Sequence, residues 1–174
     1  MKRMIAFLFV LSAVALSPVV VQADDKKKDD KPPYYLTDEE LDKKLGVDEK
    51  SEVPEIFVWA VYFHRVPGCD TCQLMSKYIY ETVDTRFKDD VKVKDLVLRY
   101  RNFEEKKNAE LVKKLKIKSP SLAIMIVKDG KLSKAKLAGK IWSLAKDKDE
   151  FMDYVEAEIN AYKKEIKEEK EQKK

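Results

Sequence analysis

The sequence predicts an α/β domain whose elements follow the order β-α-β-α-β-β-α, with a mixed central sheet covered by helices on both faces. Three observations predict this class. Residues 55–63 form a near-continuous apolar run, typical of a strand buried on both faces. The next segment repeats apolar side chains at helical spacing. Near the end of the domain, Asp129 and Gly130 separate two strand-like runs, which indicates a β-hairpin.

The N-terminus has the features of a secretory signal peptide over residues 1–23. A basic start precedes an apolar stretch, and small residues at positions 21 and 23 predict cleavage after Ala23. An uncleaved anchor is the alternative, but the apolar run is of marginal length for a membrane span. We therefore expect a periplasmic or secreted protein without a transmembrane span after cleavage. Cysteines can form disulfides in such a compartment.

Composition limits the domain count and the partners. The 174 residues suffice for one domain of ordinary size and hardly for two. Charged residues make up 39% of the chain, but the formal net charge is only +4. A nucleic-acid-binding protein would need a basic face rather than interspersed charges, so no nucleic-acid partner is expected.

A linker and a short helix precede the first strand. Residues 24–36 begin with a charged stretch that has no apolar side chain, which predicts a disordered linker. Thr37 and Glu40 then form a capping box, and Gly46 ends the short helix. The folded domain is predicted over residues 37–162.

The first strand is followed by a helix and then by a second strand and helix. The apolar positions of the first of these helices are Cys72, Met75, Ile79 and Val83. Residues 95–103 are predicted to form the second strand. Residues 104–116 are predicted to form the second helix, with Leu111 and Leu115 facing inward.

The chain ends in the hairpin and a last helix. Residues 121–127 and 131–139 flank the Asp-Gly turn and are predicted to pair. The last helix starts near residue 147, and its apolar face is formed by Phe151, Tyr154, Val155 and Ile159. Beyond residue 162 apolar residues nearly vanish, so residues 163–174 are predicted to be a charged tail or a solvated helix extension.

Cys69 and Cys72 are the only two cysteines and are the candidate catalytic residues. Cys69 lies where the first strand ends and a helix begins, so free backbone N–H groups and the helix dipole favour its thiolate. Cys72 lies one turn further along, on the apolar stripe. An exposed attacking thiol and a sheltered resolving thiol are the two roles that disulfide exchange requires. Asp70 is an auxiliary candidate whose charge opposes the thiolate, which predicts a reducing potential.

Other interpretations of the pair stay open. A structural disulfide across so short a loop would stabilise the fold little. A zinc site needs four ligands, and only His64 adds to the two cysteines, so a metal site would hold copper or be shared between subunits. His64 is also an auxiliary candidate for the redox chemistry, although a packing role is commoner for such a histidine. The redox interpretation itself requires no metal and no other cofactor.

Ser119 and Pro120 directly precede the apolar run of the third strand. Together with the CxxC pair and the hairpin, they give the chain a pattern that resembles the thioredoxin superfamily over roughly residues 55–159. In that superfamily a cis proline at this position lies against the CxxC, and the residue before it binds the substrate backbone. The resemblance implies that Ser119 and Pro120 bind substrate and that the bond between them is cis.

Two features depart from thioredoxin itself. Gly68 stands where thioredoxins have Trp, and the first strand lacks the buried Asp that assists the resolving cysteine. The segments RVPG and KIWSLAKDKDEFMDYVEAEI are similar to a thioredoxin-like family whose members are labelled a nitrophenyl-compound nitroreductase subunit. Two thiols cannot perform nitroreduction unaided, so that activity is not expected here.

Taken with export, the motifs predict a thiol-disulfide oxidoreductase that exchanges disulfides with protein substrates through Cys69 and Cys72. A redox partner would recycle the pair. The alternative is a thioredoxin-fold binding or accessory subunit whose CxxC does not turn over or holds a metal.

Overall fold

The structure, a computed structural model, describes residues 33–172. The predicted signal peptide, its cleavage site and most of the predicted linker lie outside the described residues. No helix within 33–172 is long and apolar enough to span a lipid bilayer. The end of the predicted linker belongs to the fold, because Pro33–Tyr35 form a short 3-10 helix and the side chain of Tyr34 is buried.

Four strands and six α-helices occur within the described residues. The strands are β1 (Ile56–His64), β2 (Leu96–Asn102), β3 (Ser121–Lys128) and β4 (Lys131–Leu137). The helices are α1 (Asp38–Leu45), α2 (Asp70–Arg86), α3 (Lys88–Lys92), α4 (Ala109–Leu115), α5 (Ile141–Leu144) and α6 (Lys148–Gln172). The short helices α3 and α5 were not predicted from the sequence.

The four strands form one mixed sheet in the order β2-β1-β3-β4. Strand β1 is parallel to β2 and antiparallel to β3, and β3 is antiparallel to β4. The predicted hairpin is confirmed, and its turn residues Asp129 and Gly130 both have positive φ, 50° and 71°. The architecture is α/β, as predicted, and it is compatible with a thioredoxin-like arrangement.

Local signals also place α1 correctly. The hydroxyl of Thr37 accepts a hydrogen bond from the backbone N–H of Glu40, whose carboxylate accepts one from the N–H of Thr37. Gly46 ends the helix in the left-handed conformation, with φ 71°. The capping box and the stop residue therefore act as the sequence predicts.

The sheet carries a hydrophobic core on each face, because successive side chains of β1 point to opposite sides. The larger core includes Val58, Ala60 and Tyr62 of β1, and the apolar faces of α1, α2 and α6 pack into it. The smaller core includes Val61 and Phe63. The apolar side chains of α4 pack against that smaller core, which confirms that this helix faces inward.

The last helix extends well beyond its predicted apolar face. Helix α6 continues to Gln172, and Ile166 is buried. Lys163 pairs with Asp90 at 2.6 Å, and Glu165 pairs with Lys134 of the hairpin at 2.5 Å. Residues 163–172 therefore form the predicted helix extension, and Ile166 and these ion pairs hold part of it against the domain. Ile166 is one apolar residue among many charged ones, so the sequence shows no periodic pattern that would predict packing of this part of the helix against the domain.

Candidate redox site

Cys69 is the N-cap residue of α2, at the end of the loop that leaves β1. Its side chain is exposed, whereas Cys72 is only 3% exposed. The two residues form a disulfide, with their Cα atoms 5.0 Å apart. One sulfur is therefore accessible to a reacting partner while the other is sheltered one helical turn away.

The first turn of α2 offers hydrogen bonds to the exposed sulfur. Cys69 Sγ accepts a hydrogen bond from the backbone N–H of Cys72, with the two heavy atoms 3.2 Å apart. In the reduced pair, the same N–H and the positive end of the helix dipole favour a thiolate at Cys69. Asp70, the first residue of the helix, is exposed and carries a charge that opposes this thiolate.

The predicted substrate-binding residues lie beside the pair. Cys69, Cys72, Ser119 and Pro120 line one cavity of about 250 Å³. The other residues that line it are Arg65, Phe103, Lys118 and Trp142. Residues from the loop after β1, the loop before β3 and helix α5 thus converge on the cysteines.

The proline with a cis peptide bond is a different one from that expected. Among residues 33–172, the cis bond joins Val66 to Pro67. The bond between Ser119 and Pro120 is trans, so the expectation drawn from the thioredoxin resemblance was wrong. The trans form is the intrinsically preferred one for an X-Pro bond, and the sequence pattern does not show which proline departs from it.

Trp142 is a site residue that sequence reasoning missed. Its indole Nε1 donates a hydrogen bond to the carbonyl oxygen of Pro120 at 2.9 Å. Ser121 Oγ donates to the carbonyl oxygen of Ser119 at 2.8 Å. The backbone on both sides of Pro120 is therefore held in place beside the cysteines. No periodic pattern marks Trp142, because α5 has only four residues.

Tyr62 is a polar side chain of β1 that contacts the backbone of Cys72. It is fully buried, and its hydroxyl donates to the carbonyl oxygen of Cys72 at 3.2 Å. Burial raises the pKa of Tyr62 well above its usual value, so the phenol stays protonated and acts as a donor rather than a base. The alternation of β1 puts Tyr62 on the same face as Val58 and Ala60, the signal by which it could have been found.

His64 does not line the cysteine cavity. It is buried, and its ring centroid is 4.8 Å from that of Tyr34. Both residues line a different cavity of about 650 Å³. Desolvation lowers the pKa of His64, so its neutral form is favoured. The auxiliary candidate His64 is therefore not among the residues that share a cavity with Cys69 and Cys72.

Tyr34 packs directly against the loop that carries Cys69. Its hydroxyl is so close to Gly68 that a Cβ atom at that position would lie 2.7 Å from it. Burial is the main cause that raises the pKa of Tyr34 to about 12. This contact gives a steric reason for glycine where thioredoxins have Trp.

The described residues contain no group of three or more His, Cys, Asp or Glu side chains that could hold a metal ion. Cys69, Cys72 and His64 therefore do not form such a group in this part of the chain. Comparison with known proteins gives no closer assignment, since no protein-family model and no curated protein matches the sequence. What is established is an α/β domain with a close Cys-x-x-Cys pair, which is compatible with a redox role.

Proposed function

We propose that the protein is an exported thiol-disulfide oxidoreductase of the thioredoxin-like superfamily, acting in the periplasm or outside the cell. The observation that carries the proposal is the Cys69–Cys72 pair at the start of α2, with one sulfur exposed beside an accessible cavity. The order of strands in the mixed sheet supports the superfamily.

Exchange proceeds through a mixed disulfide. The Cys69 thiolate attacks one sulfur of a substrate disulfide, that S–S bond breaks, and the second substrate sulfur leaves as a thiolate. The Cys72 thiolate then attacks Cys69 Sγ and releases the first substrate sulfur. The substrate gains two electrons and the protein loses two, while the two protons of the protein thiols pass to the substrate thiols through solvent. The reverse sequence oxidises a substrate dithiol.

The surrounding residues orient these steps. The buried hydroxyl of Tyr62 fixes the backbone of Cys72, which keeps the resolving sulfur close to Cys69. Ser119 and Pro120 form the adjoining wall, against which a substrate segment lies. Trp142 holds that wall through its hydrogen bond to the carbonyl of Pro120.

Reduction of insulin by the purified protein with a dithiol reductant tests the proposal. Cys69→Ser is expected to abolish the reaction, because it removes the attacking sulfur. Cys72→Ser is expected to accumulate mixed disulfides, visible by non-reducing electrophoresis, because the resolving step is lost. Equal residual activity in the two variants would contradict the assigned roles and favour an accessory subunit whose pair does not turn over.

A further inference from the structure

We propose that the substrate of this site is a polypeptide segment in which an acidic residue adjoins the reactive cysteine. The inference rests on the proposed disulfide exchange and adds a preference to it. The observation behind it is the charge of the cavity, whose lining includes the cations Arg65 and Lys118 and no acidic side chain.

These two cations are available to a ligand. Arg65 and Lys118 are exposed, and within residues 33–172 neither side chain forms an ion pair or a hydrogen bond. The other arginines of this region behave differently. Arg86, Arg99 and Arg101 are each paired with carboxylates. Arg65, which directly follows β1, is thus the arginine of the described region that lacks a carboxylate partner.

The two cations come from different loops beside the cysteine pair. Arg65 leaves the end of β1, and Lys118 directly precedes Ser119 in the loop that enters β3. A carboxylate next to the substrate cysteine would therefore meet positive charge on two segments of the wall. Exposed charge pairs of this kind each contribute about 2- to 5-fold in binding. Asp70 directly follows Cys69 and is the acidic residue nearest to the cysteine pair along the chain, but it does not line the cavity.

The size and the aromatic lining of the cavity favour a chain segment over a small molecule. At about 250 Å³ the cavity is smaller than the roughly 300–1,000 Å³ of ordinary small-molecule sites. Phe103 and Trp142 add apolar surface to the wall, and Trp142 is 44% exposed. A segment that crosses the cavity can place its cysteine at Cys69 and neighbouring side chains on these surfaces.

The reaction with such a segment follows the exchange described above. The Cys69 thiolate forms a bond with the cysteine sulfur of the acidic segment, and the sulfur formerly bonded to it leaves as a thiolate. Attack by Cys72 then returns the segment as a thiol, with two electrons transferred to the substrate in total. A dithiol reductant regenerates the protein pair.

Synthetic peptide disulfides test the preference. Three peptides would differ only in the residues that flank the cysteine, which are Glu, Gln or Lys. Each rate constant with the reduced protein at low salt is divided by the rate constant of the same peptide with free dithiothreitol, which removes intrinsic reactivity. We expect the normalised rate of the Glu peptide to exceed that of the Lys peptide by about 5- to 20-fold, and the ratio to shrink at high salt.

Variants connect the preference to the two cations. In Arg65→Gln/Lys118→Gln the Glu-to-Lys ratio should fall to about 1. Lys131→Gln is the matched control, because Lys131 is an exposed lysine at the hairpin, at the opposite end of the sheet, and the ratio should persist. Equal normalised rates in the unaltered protein, or a ratio that survives the double substitution, would overturn the proposal.

Two further results separate this inference from the proposed function. If oxidised glutathione, a small disulfide bearing carboxylates, reacts faster than the Glu peptide after normalisation, the occupant is not a polypeptide segment and the proposal fails. If insulin and the Gln peptide are reduced while no preference appears, the oxidoreductase function stands and only the acidic preference is lost. If none of the disulfides is reduced, the oxidoreductase function itself is overturned.

Discussion

The contact between Tyr34 and Gly68 allows a direct test of what fixes the loop between β1 and α2, which carries Cys69. In Gly68→Ala the new Cβ would lie 2.7 Å from the hydroxyl oxygen of Tyr34 and 3.1 Å from the ring carbon that bears it. Ordinary contacts lie near 3.5–4.0 Å, so the ring or the loop must move. Tyr34 has little room, because its ring packs against the rings of Tyr35 and His64 at centroid distances of 4.5 and 4.8 Å.

Two opposing effects determine how much Gly68→Ala changes the free energy of unfolding. Overpacking of a buried site costs about 1–3 kcal/mol. Because Gly68 does not adopt the left-handed conformation, alanine also lowers the entropy of the unfolded chain, which stabilises by about 0.4–1 kcal/mol. We expect Gly68→Ala to lower the free energy of unfolding by about 1–2 kcal/mol. Urea denaturation of the oxidised protein measures this change.

A double-mutant cycle identifies the cause. Tyr34→Phe removes the hydroxyl, which is buried without a hydrogen-bond partner, so this substitution alone should cost little. In Gly68→Ala/Tyr34→Phe part of the lost stability should return, and the ring carbon at 3.1 Å explains why the recovery is incomplete. Gly139→Ala is the control, because a Cβ there meets no atom within 4 Å. Wild-type stability in Gly68→Ala, or no recovery in the double variant, would exclude a clash with the Tyr34 hydroxyl as the cause of the destabilisation.

Three further predictions concern single side chains around the site. Tyr62→Phe should cost about 0.5–1.5 kcal/mol of stability and lengthen the lifetime of the mixed disulfide, since the Cys72 carbonyl loses its donor. Tyr100→Phe is the control, because the Tyr100 hydroxyl donates to the carbonyl oxygen of Ser76, one turn further along α2. It should lower the free energy of unfolding by a similar amount without changing the lifetime of the mixed disulfide. Asp70→Asn should raise the redox potential by about 10–20 mV in glutathione buffers, because a charge that opposes the thiolate is removed; a lower potential would contradict this. Since burial lowers the pKa of His64 in the folded state, stability should be complete above about pH 6.5 and decline as the pH falls through and below that value. His64→Gln should lose this dependence in urea titrations at pH 5–7, and an unchanged pH profile would assign it to other groups.

The sequence predicts the elements whose causes are local. Strand β1 follows from an unbroken apolar run, α1 from the Thr37–Glu40 capping box, and the hairpin from the turn at Asp129 and Gly130. The position of the cysteines at a strand-to-helix junction is local in the same sense. These features depend on neighbours within a few residues, so the pattern alone carries the information.

Features that depend on contacts distant in sequence were missed. Tyr34 looked like the end of a linker because nothing nearby shows that it packs against Gly68. Trp142 reaches the carbonyl of Pro120 across 22 positions, and Ile166 is buried in a helix whose composition is mostly charged. The trans bond before Pro120 was missed for a related reason, since the resemblance supplied a backbone isomer that local residues do not determine.

The place of Trp142 has a consequence for observing the molecule. An indole ring lines the same cavity as the Cys69–Cys72 disulfide, and disulfides quench the emission of nearby tryptophan. The other tryptophan of the chain, Trp59, packs against the smaller core and does not line this cavity. We therefore expect the fluorescence of Trp142 to rise when the Cys69–Cys72 disulfide is reduced, which would report the redox state of the pair without an added label.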